Sequence, residues 1–581
     1  MSTKSKNHLT YHFAPNGFGG IDLKSPKENA SEVYNFRVMP DGSIMKRQGF
    51  RTAWTLPGAP SYFGIFNINS SEVGIAVIGD KMFEVDLANG KCTQYEGSLD
   101  QSAALCSVVS YNENMLIFDG LKVKLVRNKE IVDLNGYAPL YGKSWHPIEL
   151  GSINEPLNMA SDRYRINYSL SSTTVQIRLP SNVVRIDYIE LNGRGLYSTD
   201  YTFNPTTGFV SSERFSSNEG SVTFWVTFNN TYASLFNGCT QALSVSSGNS
   251  PIVFCYGKNG SDGIYCLRSV PFSKGVGTSR VYPDEFELYI PIDCSFSVGS
   301  GANTVRAVIP YDERVIVFTD HDAWFVPIVS DSVMPSPLSK SIGCSSPYGA
   351  AYISDSPVTV CHNRLFIWTP TLDPYNPLNA VSVSSEVNLP EHKSDRFIKV
   401  FVNRYDSELW IFNENSKTDN ILIYNYESKK WFSFGAFYPS FVFNYNGQVG
   451  FIEGAGIYLF YDDALFDERQ VGHSEDIRAI YTSGWTKIDD TGKVKYADRL
   501  IVEAFTGTCG GLSIKLFYNN ERGDNVWCYT MRDSMFPHIF VKHLPHSRFR
   551  EVRFQIIADG SDCERVHDIA LELTVNDGNQ Y

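Results

Sequence analysis

Apolar runs and tight polar turns alternate along this chain in a unit that recurs. An apolar run, a polar turn and a second apolar run occupy Phe63–Asp80, Leu105–Gly120, Val305–Asp320, Val358–Thr369, Phe401–Glu414 and Phe441–Gly454. A weaker copy lies at Phe254–Ser269, and most copies are about 40 to 53 residues apart. Short strands repeating at that interval are the pattern of β-propeller blades. The repeat predicts six or seven blades and names no activity, because propellers are scaffolds whose function lives in loops and appended domains.

The spacing breaks once. Between Gly120 and Phe254 the interval triples, so an insertion is expected, with its own strands at Arg163–Leu170, Thr174–Leu179, Val184–Leu191 and Ser221–Phe228. Val184, Ile186 and Ile189 are read as facing a buried side, and the strand count suffices for a small β-sandwich. After Phe460 the pattern changes to alternation at Leu500–Phe505, Leu512–Tyr518, Val552–Ala558 and Ile569–Val575, with a turn at 519–524. The period of two in Leu571-Glu572-Leu573-Thr574-Val575 implies one buried and one wet sheet face. Near the start, Val38 and Ile44 flank Pro40-Asp41-Gly42, a turn that makes a hairpin leading into the first blade. No stretch holds a 3.6-residue period, so helix should be scarce. The expected organisation is all-β: an N-terminal arm and hairpin (1–50), the first part of a six- or seven-bladed propeller (51–149), an inserted β-sandwich (150–236), the rest of the propeller (237–470) and a C-terminal β-sandwich (471–581).

Composition agrees with a strand-rich body: aromatics reach 14% against 19% charged residues. No apolar run approaches the roughly 18 to 20 residues that cross a bilayer, so no membrane-spanning segment is expected. The opening Met1-Ser-Thr-Lys-Ser-Lys has no apolar core, and no secretory leader is expected. Eleven cysteines without a C-x-x-C pair predict reduced thiols packed in a core and synthesis in a reducing cytoplasm. Net charge is −13, unevenly spread: residues 1–51 carry eight Lys/Arg against four Asp/Glu, leaving 42 against 59 in the remainder. An acidic body repels nucleic acid. The basic opening reads equally as an arm that docks on an acidic neighbour and as a solvated leader.

Candidate chemistry is sparse. Asp320-His321-Asp322 is the densest acid–imidazole cluster, but Asp at the end of a hairpin caps its own turn. Asp462-Asp463 and Asp489-Asp490-Thr491-Gly492 read the same way. His538, His543 and His546 offer three imidazoles for Zn²⁺, yet two prolines lock the backbone and Lys542 and Arg548 flank them, so a surface loop is expected. Gly17-Phe18-Gly19-Gly20, Gly275-Val276-Gly277 and Gly299-Ser300-Gly301 match no phosphate-cradling motif. Gly343-Cys344-Ser345-Ser346-Pro347 lacks the closing glycine of a nucleophile elbow. The N-x-[ST] sites at Asn29, Asn69, Asn167, Asn229 and Asn259 matter only in a secreted eukaryotic protein. Trp324, Trp368 and Trp410 follow hairpin strands at matching positions, which favours core packing over sugar stacking. No catalytic, cofactor-binding or metal-ligating residue is assigned, no cofactor is expected, and the chain is read as a non-enzyme.

Three stretches, in order, carry a resemblance. The first is Gly19-Gly20-Ile21-Asp22, Glu32-Val33-Tyr34-Asn35-Phe36-Arg37, Asp41-Gly42-Ser43-Ile44 and Arg47-Gln48-Gly49-Phe50-Arg51. The second runs from Asn167-Tyr168-Ser169 through Val184–Gly193 to Asp200–Gly208. The third is Tyr481-Thr482-Ser483-Gly484-Trp485 followed by Lys493-Val494-Lys495. The first resembles the start of tailed-bacteriophage tail-nozzle proteins, also called packaged-DNA stabilisation proteins, where an "N-h-R … G-x-h-x-x-R-x-G" pattern precedes the propeller. The middle stretch resembles a module of phage structural proteins, and the third is similar to the exit from such propellers into a terminal sandwich.

The resemblance implies a homo-oligomeric ring, a hexamer, in a virion tail assembled in the bacterial cytoplasm. The ring would meet adaptor or portal-proximal tail proteins and tail fibre or spike proteins. Packaged DNA would pass through its lumen without sequence-specific binding and be retained until ejection. An acidic wall suits such a conduit, since attraction to phosphates would stall passage. Three alternatives remain open at this point. One is a head–tail stopper. Another is a receptor- or glycan-binding module presenting aromatics such as Tyr201 and Phe203. The last is a propeller glycoside hydrolase working through two carboxylates, for which no Asp-box turn is found.

Overall fold

In the computed structural model of this chain, residues 7–24, 29–68, 70–100, 105–111, 114–141, 155–217, 220–247, 250–271, 287–299, 301, 303–328, 334–373, 377–390, 397–488, 494–507, 511–520, 523–532, 536–560 and 562–576 are described. Outside them lie Asn69, Gly275-Val276-Gly277, Ser300, 489–493 and the centre of the 519–524 turn. The architecture is all-β. Among the described residues the α-helices are single turns at Glu213–Ser216 and Ala233–Phe236. The chain divides into two compact units, one of Met1–Ala59, Ala88–Gly90 and Tyr348–Tyr581, the other of Pro60–Leu87 and Lys91–Pro347.

The second unit holds four-stranded antiparallel sheets beginning at Tyr62–Ile68, Ser107–Tyr111, Gln241–Ser247 and Val305–Tyr311. Their inner strands explain the repeat. In Arg314–Thr319, the side chains of Val315, Ile316, Val317 and Phe318 are all fully buried, so both faces of the strand are apolar and it reads as a continuous run. The copies are not all in phase. Val358–Thr369 and Phe254–Ser269 fall on second and third strands, the others on first and second, because any two adjacent inner strands give the same apolar–turn–apolar text.

The insertion pairs Arg163–Leu170 with Gly220–Phe228, which in turn pairs with Val183–Leu191. A small sheet of Gln176–Arg178, Phe209–Ser211 and Thr202–Asn204 adds to it. Tyr164, Ile166, Ile189, Phe215 and Phe224 form its own core. Val184, expected inside, is 57% exposed while Ile186 and Ile189 are buried. A register shift between Val183 and Arg185 turns Val184 outward, and a second between Ile186 and Tyr188 brings Ile189 in; such bulges change which side chains face the core.

The first unit holds three more blade-like sheets, beginning at Ala350–Ile353, Ile398–Asn403 and Phe441–Tyr445. The opening residues do not form a separate arm there. They make strands β1 (Asn7–His12), β2 (Ala30–Tyr34), β3 (Phe36–Val38), β4 (Ile44–Lys46) and β5 (Phe50–Thr55). The expected hairpin is present, with Val38 opposite Ile44. Its β4 continues onto Arg565–Asn576, which also pairs β1 along its length. Strand β2 lies between Ala479–Ser483 and Lys430–Phe434, and β5 completes the sheet of Phe441–Tyr445 by pairing Gly456–Phe460. The remaining terminal strands are Val494–Phe505, Leu512–Asn520, Gly523–Met531, His538–Phe549 and Glu551–Ala558.

One apolar core runs through this unit, from Trp410, Trp431 and Phe451 past Phe18 and Phe36 to Tyr481, Phe554 and Leu571. Phe50 sits within a ring of aromatics, with centroids of Phe451, Tyr458, Phe437 and Phe460 at 4.8 to 5.8 Å. Removing such a side chain costs about 3–5 kcal/mol.

Candidate functional site

The acid–imidazole cluster is a turn, as its sequence suggests. Asp322 Oδ1 accepts from Thr319 Oγ1 at 2.6 Å and from Trp324 Nε1 at 2.9 Å, while Oδ2 accepts from Asn303 Nδ2 at 3.2 Å. Asp320 Oδ1 accepts from the Thr304 amide at 3.3 Å. Asp462 and Asp463 receive Gln48 Nε2 and Arg51. Gly343 is packed against that first turn, since a Cβ there would stand 2.2 Å from Thr319 O.

The histidines are not in a loop. His538 and His543 lie on the exposed strand His538–Phe549, at the end of a sheet. The side chain of His546 is outside the described ones. Pro545 is tolerated because an edge strand leaves one row of amides unpaired. Five residues apart on an extended strand, the rings of His538 and His543 project from opposite faces. Among the described residues no group of three His, Cys, Asp or Glu is placed to hold a metal ion.

Trp368 and Trp410 are core residues, each 1% exposed. Their positions do not match: Trp368 is on a third strand and Trp410 on a second. Tyr201 and Phe203 pack against the core of the insertion rather than standing out as a platform. A polar cleft of about 1000 Å³ in the first unit is lined by Lys24, Arg364, Ser382, Asn388 and Asp419 among others. Among the described residues no aromatic ring lines it, and Asp419 is held by Asn413 Nδ2 at 3.0 Å and Ser416 Oγ at 2.8 Å. Among its described lining residues there is neither a stacking surface for sugar nor a second carboxylate beside Asp419.

What sequence reading missed is a latch built from the basic opening. Asn35 takes a left-handed backbone (φ 54°), which Asn tolerates. Its Oδ1 accepts from Arg47 Nε and the Gly435 amide, both at 3.0 Å, and its Nδ2 donates to Arg478 O at 2.9 Å. Arg47 also donates to Asp467 Oδ1 and Oδ2, at 2.8 and 2.6 Å, and to the carbonyls of Gln48 and Gly435. All five guanidinium N–H groups are thereby used. Gly49 is required because a Cβ would lie 2.0 Å from Phe466 O.

Arg37 joins Glu408 at 2.9 Å and Asp406 at 2.9 Å. Lys46 meets Glu564 and donates to Gly560 O at 2.6 Å. Burial pushes the Glu408 and Glu564 carboxyls above their ordinary value, against the pull of Arg37 and Lys46 respectively. A buried carboxyl with a raised pKa is a catalytic candidate in a cleft. Glu408, however, faces Trp410 Nε1 at 2.9 Å and Asn403 Nδ2 at 3.3 Å, a packed interior with no approach for substrate. Within the described part of the basic opening, Arg37, Lys46 and Arg47 are spent on carboxylates inside the chain, while Lys24 is exposed and Arg51 meets Asp463 at the surface. Lys4, Lys6 and Lys27 lie outside the described residues. The signal was present in the excess of Lys/Arg over Asp/Glu in residues 1–51, opposite in sign to the rest.

The described cysteines, ten of them, are free thiols, six buried. Burial holds Cys239 and Cys266 up at about 12. Among the described residues no helix is long and apolar enough to cross a membrane.

No protein-family model and no curated protein matches the chain. Among solved structures, the AfRom2 CNH domain is similar at 8% identity and a TM-score of 0.33, over 71% of this chain and 97% of its own. A chain of the mitotic checkpoint complex is similar at 8% identity and a TM-score of 0.33, over 70% and 94%. An exo-beta-1,3-galactanase from Phanerochaete chrysosporium is similar at 9% identity and a TM-score of 0.22, over 57% and 95%.

Proposed function

We propose that this chain is a structural subunit of a bacteriophage tail, a nozzle-type ring protein that prolongs the DNA channel and holds the packaged genome until ejection. The observation that carries the reading is the latch. Asn35, Arg37, Arg47 and Gly49, residues of the pattern that resembles tail-nozzle proteins, each answer a specific physical demand of the fold, which supports reading the pattern as a built feature. The strand β5, completing a blade-like sheet whose other strands lie some 400 residues later, suits a propeller closed by both ends of its sequence. A net charge of −13 suits a wall past which DNA slides. The role is non-catalytic in this reading, with tail adaptor and fibre or spike proteins as partners.

The test is assembly. Purified protein should form rings in negative-stain electron microscopy, or add to a portal–adaptor complex, and the protein should be present in purified particles. A strictly monomeric protein missing from particles would overturn the proposal. Activity in a screen of cell-wall and surface polysaccharides would replace it with the hydrolase reading.

A further inference from the structure

The strand His538–Phe549 ends its sheet and is hydrogen-bonded along one side to Val494–Phe505. Ile539 and Val541 are 57% and 51% exposed, and Phe536 just before it 78%. A long apolar sheet edge is a template for another chain, and proteins that leave one unused blunt it with Lys or Pro. Here Lys542 and Pro545 blunt the second half; 538–541 stays bare. Charge adds a further observation. In a chain of net charge −13, no acid stands between Asp533 and Glu551, while Lys542, Arg548 and Arg550 do.

A second sheet edge, of opposite character, lies in the same unit. The strand His473–Asp476 ends the sheet that contains β5, and all four of its residues are exposed. It carries Glu475 and Asp476, and Val471 at its turn is 88% exposed. One edge is apolar and basic, the other acidic with an apolar tip, and among the described residues neither pairs with a further strand on its outer side.

We propose that 538–542 of one copy pairs with His473–Asp476 of a second copy, adding one strand to the neighbour's sheet. This rests on the ring-subunit reading and names its contact. Because the two patches differ, the contact is head-to-tail, and repeated rotation closes a ring or runs on as a filament.

The experiment uses the full chain with exposed Cys528 replaced by Ser. Adding Ser474→Cys and Val541→Cys together should give a ladder of disulfide-linked oligomers on mild oxidation, and either one alone should not. Ile539→Lys with Val541→Lys should weaken assembly at least about tenfold in sedimentation, with an unchanged circular dichroism melt. Glu475→Lys with Asp476→Lys should do likewise, and Lys542→Glu should restore part of the loss. Rings that persist in the Lys variants, without a ladder, overturn this contact and leave the ring reading standing. A wild-type protein that never assembles overturns both.

Discussion

Arg47 and Asp467, 420 residues apart in the chain, meet as a two-pronged ion pair with contacts of 2.8 and 2.6 Å and almost no surface exposed on either side chain. Removing one partner leaves a buried charge uncompensated, which costs about 3–5 kcal/mol. Arg47→Met should therefore lower the denaturation midpoint of the first unit sharply. The double variant Arg47→Met with Asp467→Leu should recover part of that loss, because it removes the unpaired charge while Gln48 O and Gly435 O still lose the donor that Arg47 gave them. A single variant costing under about 1 kcal/mol would mean that solvent reaches the pair.

Gly49 approaches the chain opposite more closely than any Cβ allows, 2.0 Å from a carbonyl oxygen. The obstruction is backbone and cannot rotate away. Gly49→Ala should destabilise by about 1–3 kcal/mol or more, read as a lower thermal midpoint. Gly79→Ala is the comparison: a Cβ there meets nothing within 4 Å, and only its left-handed backbone resists the change.

Acidity offers a test with a definite sign. The folded-state pKa of Glu408 is raised above 4.5, first by burial and against the pull of Arg37. The folded state then binds the proton more tightly than the unfolded state. The stability it contributes is full below the ordinary carboxylate value and is lost as pH rises through the raised one. Urea midpoints between pH 4 and 8 should fall more steeply with pH in wild type than in Glu408→Gln. An equal slope in the two proteins would contradict the shift.

Thiol reactivity should follow burial. Cys528 is exposed, whereas Cys106, Cys239, Cys255, Cys266, Cys344 and Cys361 are buried. Native protein treated with a thiol-specific chromogen should show a fast phase that Cys528→Ser removes, and the six buried thiols should react only after denaturant is added. Rapid native labelling of Cys255, mapped by mass spectrometry, would count against the packing of the second unit.

The sequence was legible where one strand carries its own evidence. Arg163–Leu170 begins and ends where its apolar text does, and the hairpin of Val38 and Ile44 follows from its turn residues. It was illegible where neighbours decide. Nothing local says that Val184 turns outward at a bulge, or that the proline-containing run at His543-Leu544-Pro545 is an edge strand. The latch was hidden for a related reason: Arg37, Lys46 and Arg47 pass for surface charges until Glu408, Glu564 and Asp467 arrive from the far end of the sequence. Periodicity reports on burial within a strand and says nothing about which distant carboxylate completes a site.

The pairing of β1 with Arg565–Asn576, and of β5 with Gly456–Phe460, sets an order of events on the ribosome. The opening strands emerge first and find their seats only when Lys430–Phe434, Gly456–Phe460 and Arg565–Asn576 have been made. Until then three cations and a Phe-rich stretch stay without their partners, open to chaperones and proteases alike. A nascent chain cut short before residue 565 loses more than a terminal strand, because its beginning is left homeless as well.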